Sequence, residues 1–293
     1  MITDLYLADI VGTKSKIMVG FFRELYKKNK DYLKAIRYNN WVDPKTGLSI
    51  KQRQQILAFP RFTIGETDFF NNKISYSDSL GFIHSVEEMF AQDLYKFEST
   101  KSNPYIIDCG ANIGLSILYF KKLFPDCRIL AFEPDKNTFE ILKKNVAQFS
   151  KSVEIKEEAV WSSDTTLQFF VEGSLAGSLL VDFANKNNVL NVKATDLKKY
   201  MNEEIDFLKI DIEGAENTLI FDIAEKLVNV KNLFLEYHGI IGAEQNLGEI
   251  LNLLKSAGFQ YYIRLAGETI NFPFLNEIPT SFNQQLNILC YRR

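Results

Sequence analysis

Beyond residue 104 the hydrophobic positions form two alternating patterns, short continuous runs and longer stretches with helical spacing. The longer stretches predict helices over residues 114–124, 136–149, 215–227 and 247–257. Continuous apolar runs are typical of parallel strands that are covered on both faces. Such runs predict seven strands: YIIDCG, RILAFEP, VEIKEEAV, IDFLKIDIEG, KNLFLEYHG, GFQYYIRL and QLNILCYRR. This order predicts an α/β fold with a doubly wound, mostly parallel seven-stranded sheet, in which ligands bind beyond the carboxyl ends of the strands.

The first 60 residues differ from the rest of the chain in charge. They hold 11 Lys and Arg against 5 Asp and Glu, a balance of +6, although the whole chain has a net charge of -3. Apolar residues at roughly helical spacing over residues 17–39 predict an amphipathic helix. We interpret residues 1–100 as a basic, partly helical appendage and residues 101–293 as the main domain. The basic face is either a solvated surface or a contact site for an anionic lipid headgroup or a pyrophosphate-linked glycan.

Composition narrows the class of protein further. The length and the hydrophobic content of 46% allow a full core. No apolar run approaches the length of a membrane-spanning helix, so we expect a cytoplasmic protein. The three cysteines, Cys109, Cys127 and Cys290, have no zinc-site spacing, and we predict that they are unreactive thiols.

The first strand–helix junction reads DCGANIG over residues 108–114. Gly110 permits a tight turn and close approach of the backbone to a ligand, and Gly114 allows the helix to pack closely on the sheet. Asn112 stands where dinucleotide-binding turns have a glycine, and no P-loop lysine follows, so both phosphate-binding classes are disfavoured. Unpaired N–H groups at the start of the helix suit a single carboxylate. The turn therefore predicts an amino-acid-like ligand, with Asp108, Gly110, Ala111, Asn112 and Gly114 as its binding residues.

A second motif ends the next strand. Glu133 and Pro134 follow the glycine turn by about twenty residues, the position at which an acid accepts hydrogen bonds from a ribose diol. An amino-acid carboxylate and a ribose in one crevice together indicate S-adenosyl-L-methionine. Glu158, at the end of the third strand, is a candidate for binding the adenine amine, and the alternative is a solvated acid.

Two further motifs, FLKIDIEGAE at residues 207–216 and LFLEYHG at residues 233–239, follow in the same order. Together with DCGANIG and AFEP, they resemble the FkbM-type methyltransferase family over residues 104–240. The resemblance implies a class I, Rossmann-like methyltransferase fold and S-adenosylmethionine-dependent O-methyl transfer, often to sugars of glycans or to hydroxyls of secondary metabolites. Tyr237 departs from the family pattern, in which an aliphatic residue is more common.

His238, Asp211 and Lys209 are candidates for the catalytic chemistry, because a hydroxyl acceptor must lose a proton, and Asp211 is also a candidate for binding the cofactor. His238 lies at a strand's carboxyl end and is either a base or acceptor anchor, or a structural histidine. Lys209 lies inside an apolar strand and needs a carboxylate, for which Asp211 and Glu236 are the candidates. It either orients Asp211 through a buried ion pair or belongs to the proton path with a pKa lowered by burial.

A divalent metal is an alternative that we do not favour. The motifs D-x-E and E-x-H on adjacent strand ends direct Asp211, Glu213, Glu236 and His238 towards one point. However, strand alternation is not expected to persist through Glu213 into the start of a helix.

The acceptor that we expect is a carbohydrate hydroxyl, on a glycan or on its lipid-linked precursor, with the basic front end near the anionic carrier. The aromatic-rich segments 76–90 and 271–279 are candidates for the walls of the acceptor site. A nucleic-acid or protein methyltransferase, or a catalytically silent binding module, are the alternatives. The slightly acidic chain argues against nucleic acid.

Overall fold

The computed structural model of the protein describes residues 36–171, 177–178, 189–267, 272–275 and 282–292, together with residues 27, 30 and 34. The chain divides into two compact units, residues 1–55 and 56–293, and each unit is described by itself. The functional boundary near residue 100 stays a prediction. Among the described residues, no helix combines the length and the apolar character that crossing a membrane requires.

In the first unit, the described residues of the predicted amphipathic helix are helical and exposed. These are residues 27, 30, 34 and 36–39, whereas Lys28 lies outside the described residues. A β-bridge between Val42 and Ser49 and the helix α1 (Ile50–Leu57) follow.

The second unit contains the predicted seven-stranded sheet. Its strands are β3 (Tyr105–Cys109), β4 (Arg128–Phe132), β5 (Val153–Lys156), β10 (Ile205–Ile210), β11 (Val230–Ile240), β12 (Gln260–Leu265) and β13 (Phe282–Tyr291). They lie in the order β12-β13-β11-β10-β3-β4-β5, and β13 is antiparallel to both of its neighbours. The other neighbouring pairs are parallel. Each predicted run supplies one of these strands, so the predicted class I methyltransferase fold is confirmed. The chain reverses its winding direction at β3, where this architecture has its ligand crevice.

Helices cover both faces of this sheet. They are α2 (Ser79–Val86), which continues as a π-helical turn at Glu87–Ala91, and then α3 (Leu115–Leu123), α4 (Lys136–Val146), α5 (Glu216–Asp222) and α6 (Leu247–Ser256). The four helices expected beyond residue 104 are present. The helix predicted over residues 215–227 is shorter, because the chain continues from α5 as a 3₁₀ turn at Ala224–Asn229. A hairpin of β1 (Gly65–Phe69) and β2 (Asn72–Tyr76) precedes α2.

The two faces of the sheet have different packing. One face buries aliphatic residues such as Leu208 and Leu235 against Leu219 of α5 and Leu254 of α6. The other face carries aromatic side chains, where the ring of Tyr95 lies 4.8 Å from that of Phe234 and 5.8 Å from that of Phe120. The segment after α2 is therefore fixed on the face from which Asp108, Lys209 and His238 project, as their register shows.

A four-stranded sheet is, like the β1–β2 hairpin, a feature that the sequence did not predict. Its strands are β6 (Ala159–Trp161), β7 (Thr165–Val171), β8 (Gly177–Ser178) and β9 (Val189–Asp196), in the order β6-β9-β7-β8. The run VEIKEEAV is therefore not one strand. It breaks after Lys156, and Ala159 pairs with Ala194 of β9 instead of with the main sheet.

Candidate active site

The turn after β3 depends on two glycines with left-handed backbone angles, Gly110 at φ +85° and Gly114 at φ +90°. A Cβ atom at Gly110 would lie 1.9 Å from the carbonyl oxygen of Asp211, which is a steric overlap. A Cβ atom at Gly114 would lie 2.8 Å from Leu142 on α4. The tight turn is confirmed. Gly110 is required because the backbone at the end of β10 lies against it, and Gly114 is required because α4, rather than the sheet, lies against it.

The N–H groups of the turn already have acceptors within the protein. Gly110 and Ala111 donate to the carbonyl oxygen of Phe132 at 3.1 and 2.9 Å, and Asn112 donates to Glu133 Oε2 at 2.9 Å. By contrast, the N–H groups of residues 115–117, in the first turn of α3, donate to no acceptor within the described part of the chain. The first turn of α3, and not the glycine turn itself, therefore offers donors for a carboxylate.

Glu133 is buried at the end of β4. Besides the N–H group of Asn112, its carboxylate accepts the N–H group of Asp135 at 3.0 Å. Burial raises the pKa of Glu133 to about 7, although these two N–H donors lower it. Glu133 thus holds the glycine turn in place, a role that the sequence did not indicate. Its contact with a ribose, together with the half-buried Pro134 beside it, stays a prediction.

Glu158 lies where β5 ends and β6 begins, and it is half-buried. Its Oε1 atom lies 3.7 Å from Nζ of Lys193 on β9. Because the chain leaves the main sheet at this point, Glu158 stands at the border of the two sheets. Its predicted contact with adenine stays a prediction.

Lys209 is buried inside β10 and has three oxygen partners. Its Nζ atom donates to the carbonyl oxygen of Gly110 at 2.8 Å, and it lies 3.3 Å from Asp108 Oδ1 and 3.2 Å from Asp211 Oδ2. Asp211 is thus confirmed as a partner, whereas the second carboxylate is Asp108 rather than Glu236. Burial lowers the pKa of Lys209, but the charges of both aspartates outweigh burial and hold the pKa well above its ordinary value. Lys209 keeps its proton, so the lowered pKa expected for a proton path is wrong.

His238 is fully buried, and carboxylates surround its ring. Its Nδ1 atom lies 2.8 Å from Glu216 Oε1, and its Nε2 atom lies 3.4 Å from Glu213 and 3.7 Å from Glu236. Burial lowers the pKa of His238, but Glu216 and Glu213 together raise it to about 10. The raised pKa favours the protonated ring at neutral pH and so disfavours His238 as the general base, whereas its role as an acceptor anchor stays a prediction.

Two residues that hold this histidine were missed in the sequence. Glu216 is the first residue of α5, and its buried carboxylate also accepts the backbone N–H groups of His238 and Gly214, each at 2.8 Å. Gln285 lies opposite His238 on β13, and its Nε2 atom lies 3.2 Å from the histidine Nε2 and donates to Glu236 Oε1 at 2.6 Å. The last Glu of KIDIEGAE was a signal for Glu216, but an acid at a helix start is usually solvated. No motif marks Gln285.

A cavity of about 200 Å³ lies at the carboxyl ends of β3, β10 and β11. On one side it is lined by residues 110–113 of the glycine turn, by Lys209, and by Asp211, Glu213, Glu236 and Gln285. On the other side it is lined by α2 and the segment that follows, including His84, Glu88 and Tyr95. Residues of segment 76–90 thus line this cavity, and their role as a wall of the acceptor site stays a prediction. Most of segment 271–279 lies outside the described residues. Asp78 fixes the start of α2 by accepting the Gly81 N–H group.

The metal alternative has partial geometric support. Asp211, Glu213 and His238 each place one possible ligand atom within 4.8 Å of the others. Strand alternation does end before Glu213, which has a left-handed φ of 53°, but its carboxylate lies in this cluster all the same. A protonated Nε2 atom of His238 is a donor and not a ligand, however, and we assign no metal ligands here. The preference against a metal, including the set Asp211, Glu236 and His238, stays a prediction.

Comparison with known proteins agrees with the motifs. The family model described as methyltransferase FkbM domain matches residues 108–261, slightly more than half of the chain. Methyltransferase sdnD of Sordaria araneosa is 29% identical over 176 residues, which are 48% of this chain and 68% of sdnD. The 2-O-methyltransferase NoeI of Sinorhizobium fredii is 24% identical over 178 residues, 53% of this chain and 73% of NoeI. The crystal structure of methyltransferase FkbM from Methylobacillus flagellatus KT is 15% identical, with a TM-score of 0.43, and the match covers 67% of this chain and 45% of that one.

Proposed function

The chain belongs to the methyltransferase FkbM domain family, and from this premise we propose that it transfers a methyl group to a hydroxyl oxygen of a neutral acceptor. The acceptor is a sugar of a glycan, of a lipid-linked precursor or of a secondary metabolite. The cofactor predicted from the motifs, S-adenosyl-L-methionine, is confirmed with the family. The observation that carries the proposal is the cavity, in which the glycine turn and the carboxylates of Asp211, Glu213 and Glu236 meet.

The residues around the turn fit this cofactor. The open N–H groups at residues 115–117 suit the methionyl carboxylate, since they lie at the positive end of α3. We assign the ribose hydroxyls to Glu133, since each of its two oxygens has a further lone pair besides the one that accepts a backbone N–H group. The carboxylate of Asp211, which lines the cavity, suits the positive charge of the ammonium group. When bound, the cofactor supplies an electrophilic methyl group for in-line displacement, so the chain's main task is to position the acceptor oxygen.

The charge of the cavity supports a neutral acceptor. Five acids line it, Asp78, Glu88, Asp211, Glu213 and Glu236. Lys209 is already paired with Asp108 and Asp211. A phosphate entering the cavity would be repelled, which disfavours a nucleic-acid backbone and places any anionic carrier outside. A sugar hydroxyl carries no charge and offers a donor to these carboxylates. The similarity to NoeI, which is named a 2-O-methyltransferase, also favours O-methyl transfer.

The experiment that tests the proposal is a labelled transfer assay. The protein is incubated with cofactor that carries a labelled methyl group, and with separate pools of glycans, nucleotide sugars, RNA and protein. We expect label in the carbohydrate pools as an alkali-stable methyl ether. Label in RNA or protein alone would refute the proposal, and no label in any pool despite cofactor binding would favour a silent binding module.

The basic front end is the second part of the proposal. Lys27, Lys30 and Lys34 are exposed on helical residues, and screened electrostatics at such a face suits a pyrophosphate or an anionic headgroup. We place the reaction in the cytoplasm, where a lipid-linked glycan precursor is accessible to a peripheral enzyme. The lysine substitutions in the Discussion test this contact.

A further inference from the structure

The acceptor must lose its proton, and the residues that the motifs offered for this step do not fit it. This inference rests on the proposed hydroxyl transfer. A base must reach the cavity, have a lone pair available and be free of a proton when it acts. The ammonium group of Lys209 is paired with three oxygen atoms, those of Gly110, Asp108 and Asp211. His238 is fully buried, and its Nδ1 atom lies against the carboxylate of Glu216. Asp211 is committed to the ammonium group of Lys209 at 3.2 Å.

We propose that the carboxylate of Glu236 accepts the proton of the acceptor hydroxyl, and that Gln285 and His238 are positioning residues that hold this carboxylate towards the cavity. In this step the bond between the acceptor oxygen and the methyl carbon forms as the sulfur–carbon bond breaks. The electron pair of the broken bond stays on sulfur, in the neutral thioether of S-adenosyl-L-homocysteine, and the hydroxyl proton passes to Glu236. The step needs no further reactant.

The geometry around Glu236 carries this assignment. Glu236 lies at the carboxyl end of β11 and lines the cavity together with residues 110–113 of the glycine turn, next to the predicted cofactor site. Its Oε1 atom accepts the Gln285 amide at 2.6 Å and lies 3.7 Å from His238 Nε2. Within the described residues, its Oε2 atom has no hydrogen-bond donor, and the side chain keeps 17% of its surface exposed. One oxygen is thus held, and the other is available.

The surroundings also set the basicity of Glu236. Charged and titratable groups from each side of the cavity face it: Lys209, Asp211 and Glu213 from the β10 side, His238 from β11, and His84 and Tyr95 from α2 and the segment after it. Burial and the charges of Asp211 and Glu213 raise the pKa of Glu236, while His238 and Gln285 lower it, and the result is about 8. A base is most effective when its pKa lies near the working pH. The positive charge of a bound cofactor lowers this pKa further towards neutrality.

The test compares Glu236→Gln with the wild type and with Glu249→Gln, an exposed acid of α6. In Glu236→Gln we expect kcat to fall by ~10²–10⁴-fold, as for loss of a general base, while titration calorimetry shows unchanged affinity for S-adenosyl-L-homocysteine. For the wild type with bound cofactor, kcat/KM for the acceptor should rise with pH through an apparent pKa below the value of about 8 in the free protein, and this acidic limb should disappear in Glu236→Gln. His238→Gln should move the limb to higher pH, because the imidazolium lowers the pKa of Glu236.

Each opposite result would overturn the assignment. Turnover of Glu236→Gln near the wild-type value, or an acidic limb that persists in it, would show that another group takes the proton. Loss of wild-type activity on dialysis against EDTA, restored by Mg²⁺, would assign the activation of the hydroxyl to a metal. If the wild type methylates no hydroxyl acceptor, the proposed function fails and this inference fails with it. If the wild type is active and Glu236→Gln is equally active, only the base assignment fails.

Discussion

We predict that ionisation of Glu133 has opposite effects on the stability of the fold and on the affinity for the cofactor. Both effects can be measured by varying the pH. Burial raises the pKa of Glu133 from 4.5 to about 7 in the folded protein, which at 1.36 kcal/mol per unit corresponds to about 3 kcal/mol. The pKa of Glu133 is higher in the folded than in the unfolded state, so the protonated carboxyl favours folding. This contribution to stability is fully present below pH 4.5 and is lost as the pH rises through 7. Between pH 4.5 and 8, the free energy of unfolding measured with urea should therefore decrease by about 3 kcal/mol more in the wild type than in Glu133→Gln, which lacks this component.

Cofactor affinity should change in the other direction. The ionised carboxylate is the better acceptor for a ribose diol, so binding to the wild type should strengthen as the pH rises through 7. At pH 8, Glu133→Gln should weaken binding by ~1–3 kcal/mol, roughly 5- to 150-fold, through the loss of charged hydrogen bonds. Titration calorimetry with S-adenosyl-L-homocysteine at three pH values measures both effects, and Glu140→Gln, an exposed acid on α4, is the control. Equal affinities of wild type and Glu133→Gln would refute the ribose contact and leave Glu133 with its structural role alone.

Three further substitutions test other parts of the site. Gly110→Ala should abolish cofactor binding and lower the melting temperature, because its Cβ would overlap the Asp211 carbonyl oxygen, whereas Gly242→Ala, also at positive φ but in open space, should cost only about 1 kcal/mol. Lys209→Met should lower the free energy of unfolding by ~3–5 kcal/mol in a urea titration, since it leaves Asp108 and Asp211 without their cation; a loss below about 1 kcal/mol would contradict this. Replacing Lys27, Lys30 and Lys34 with Gln should raise the apparent KM for a lipid-linked acceptor, more at low salt than at high salt, and an unchanged KM would make the front end a solvated surface.

The main sheet was predictable because its signal is local. Each of its strands is a short apolar run, and the order of runs and helices fixes a doubly wound topology. The four-stranded sheet has no such signal. Whether Ala159 continues β5 or pairs with Ala194 depends on a segment 35 residues further along the chain, and the run VEIKEEAV reads equally well as one strand. Pairing with β9, rather than the local hydrophobic pattern, determines that β6 is a separate strand.

The candidate site was predictable in position but not in protonation. The motifs place Gly110, Glu133, Asp211 and His238 at the carboxyl ends of neighbouring strands, and the structure brings Asp211 and the glycine turn together at the cavity there. The pKa values of Glu133 and His238 depend on burial and on contacts that form only when the chain folds. The partner that settles His238 is Glu216, 22 residues before it.

The motifs KIDIEGAE and EYH are connected through ion pairs between their side chains. These ion pairs explain why each motif contains a cation that we do not assign to proton transfer. In KIDIEGAE, Lys209 holds Asp211, and Glu216 reaches across to the histidine of EYH. A buried cation with carboxylate partners keeps its proton, since losing it would leave those carboxylates unpaired in a low-dielectric surrounding. Lys209 and His238 therefore fix the acids in position, and it is an acid at the cavity, rather than either cation, that is free to exchange a proton with the acceptor.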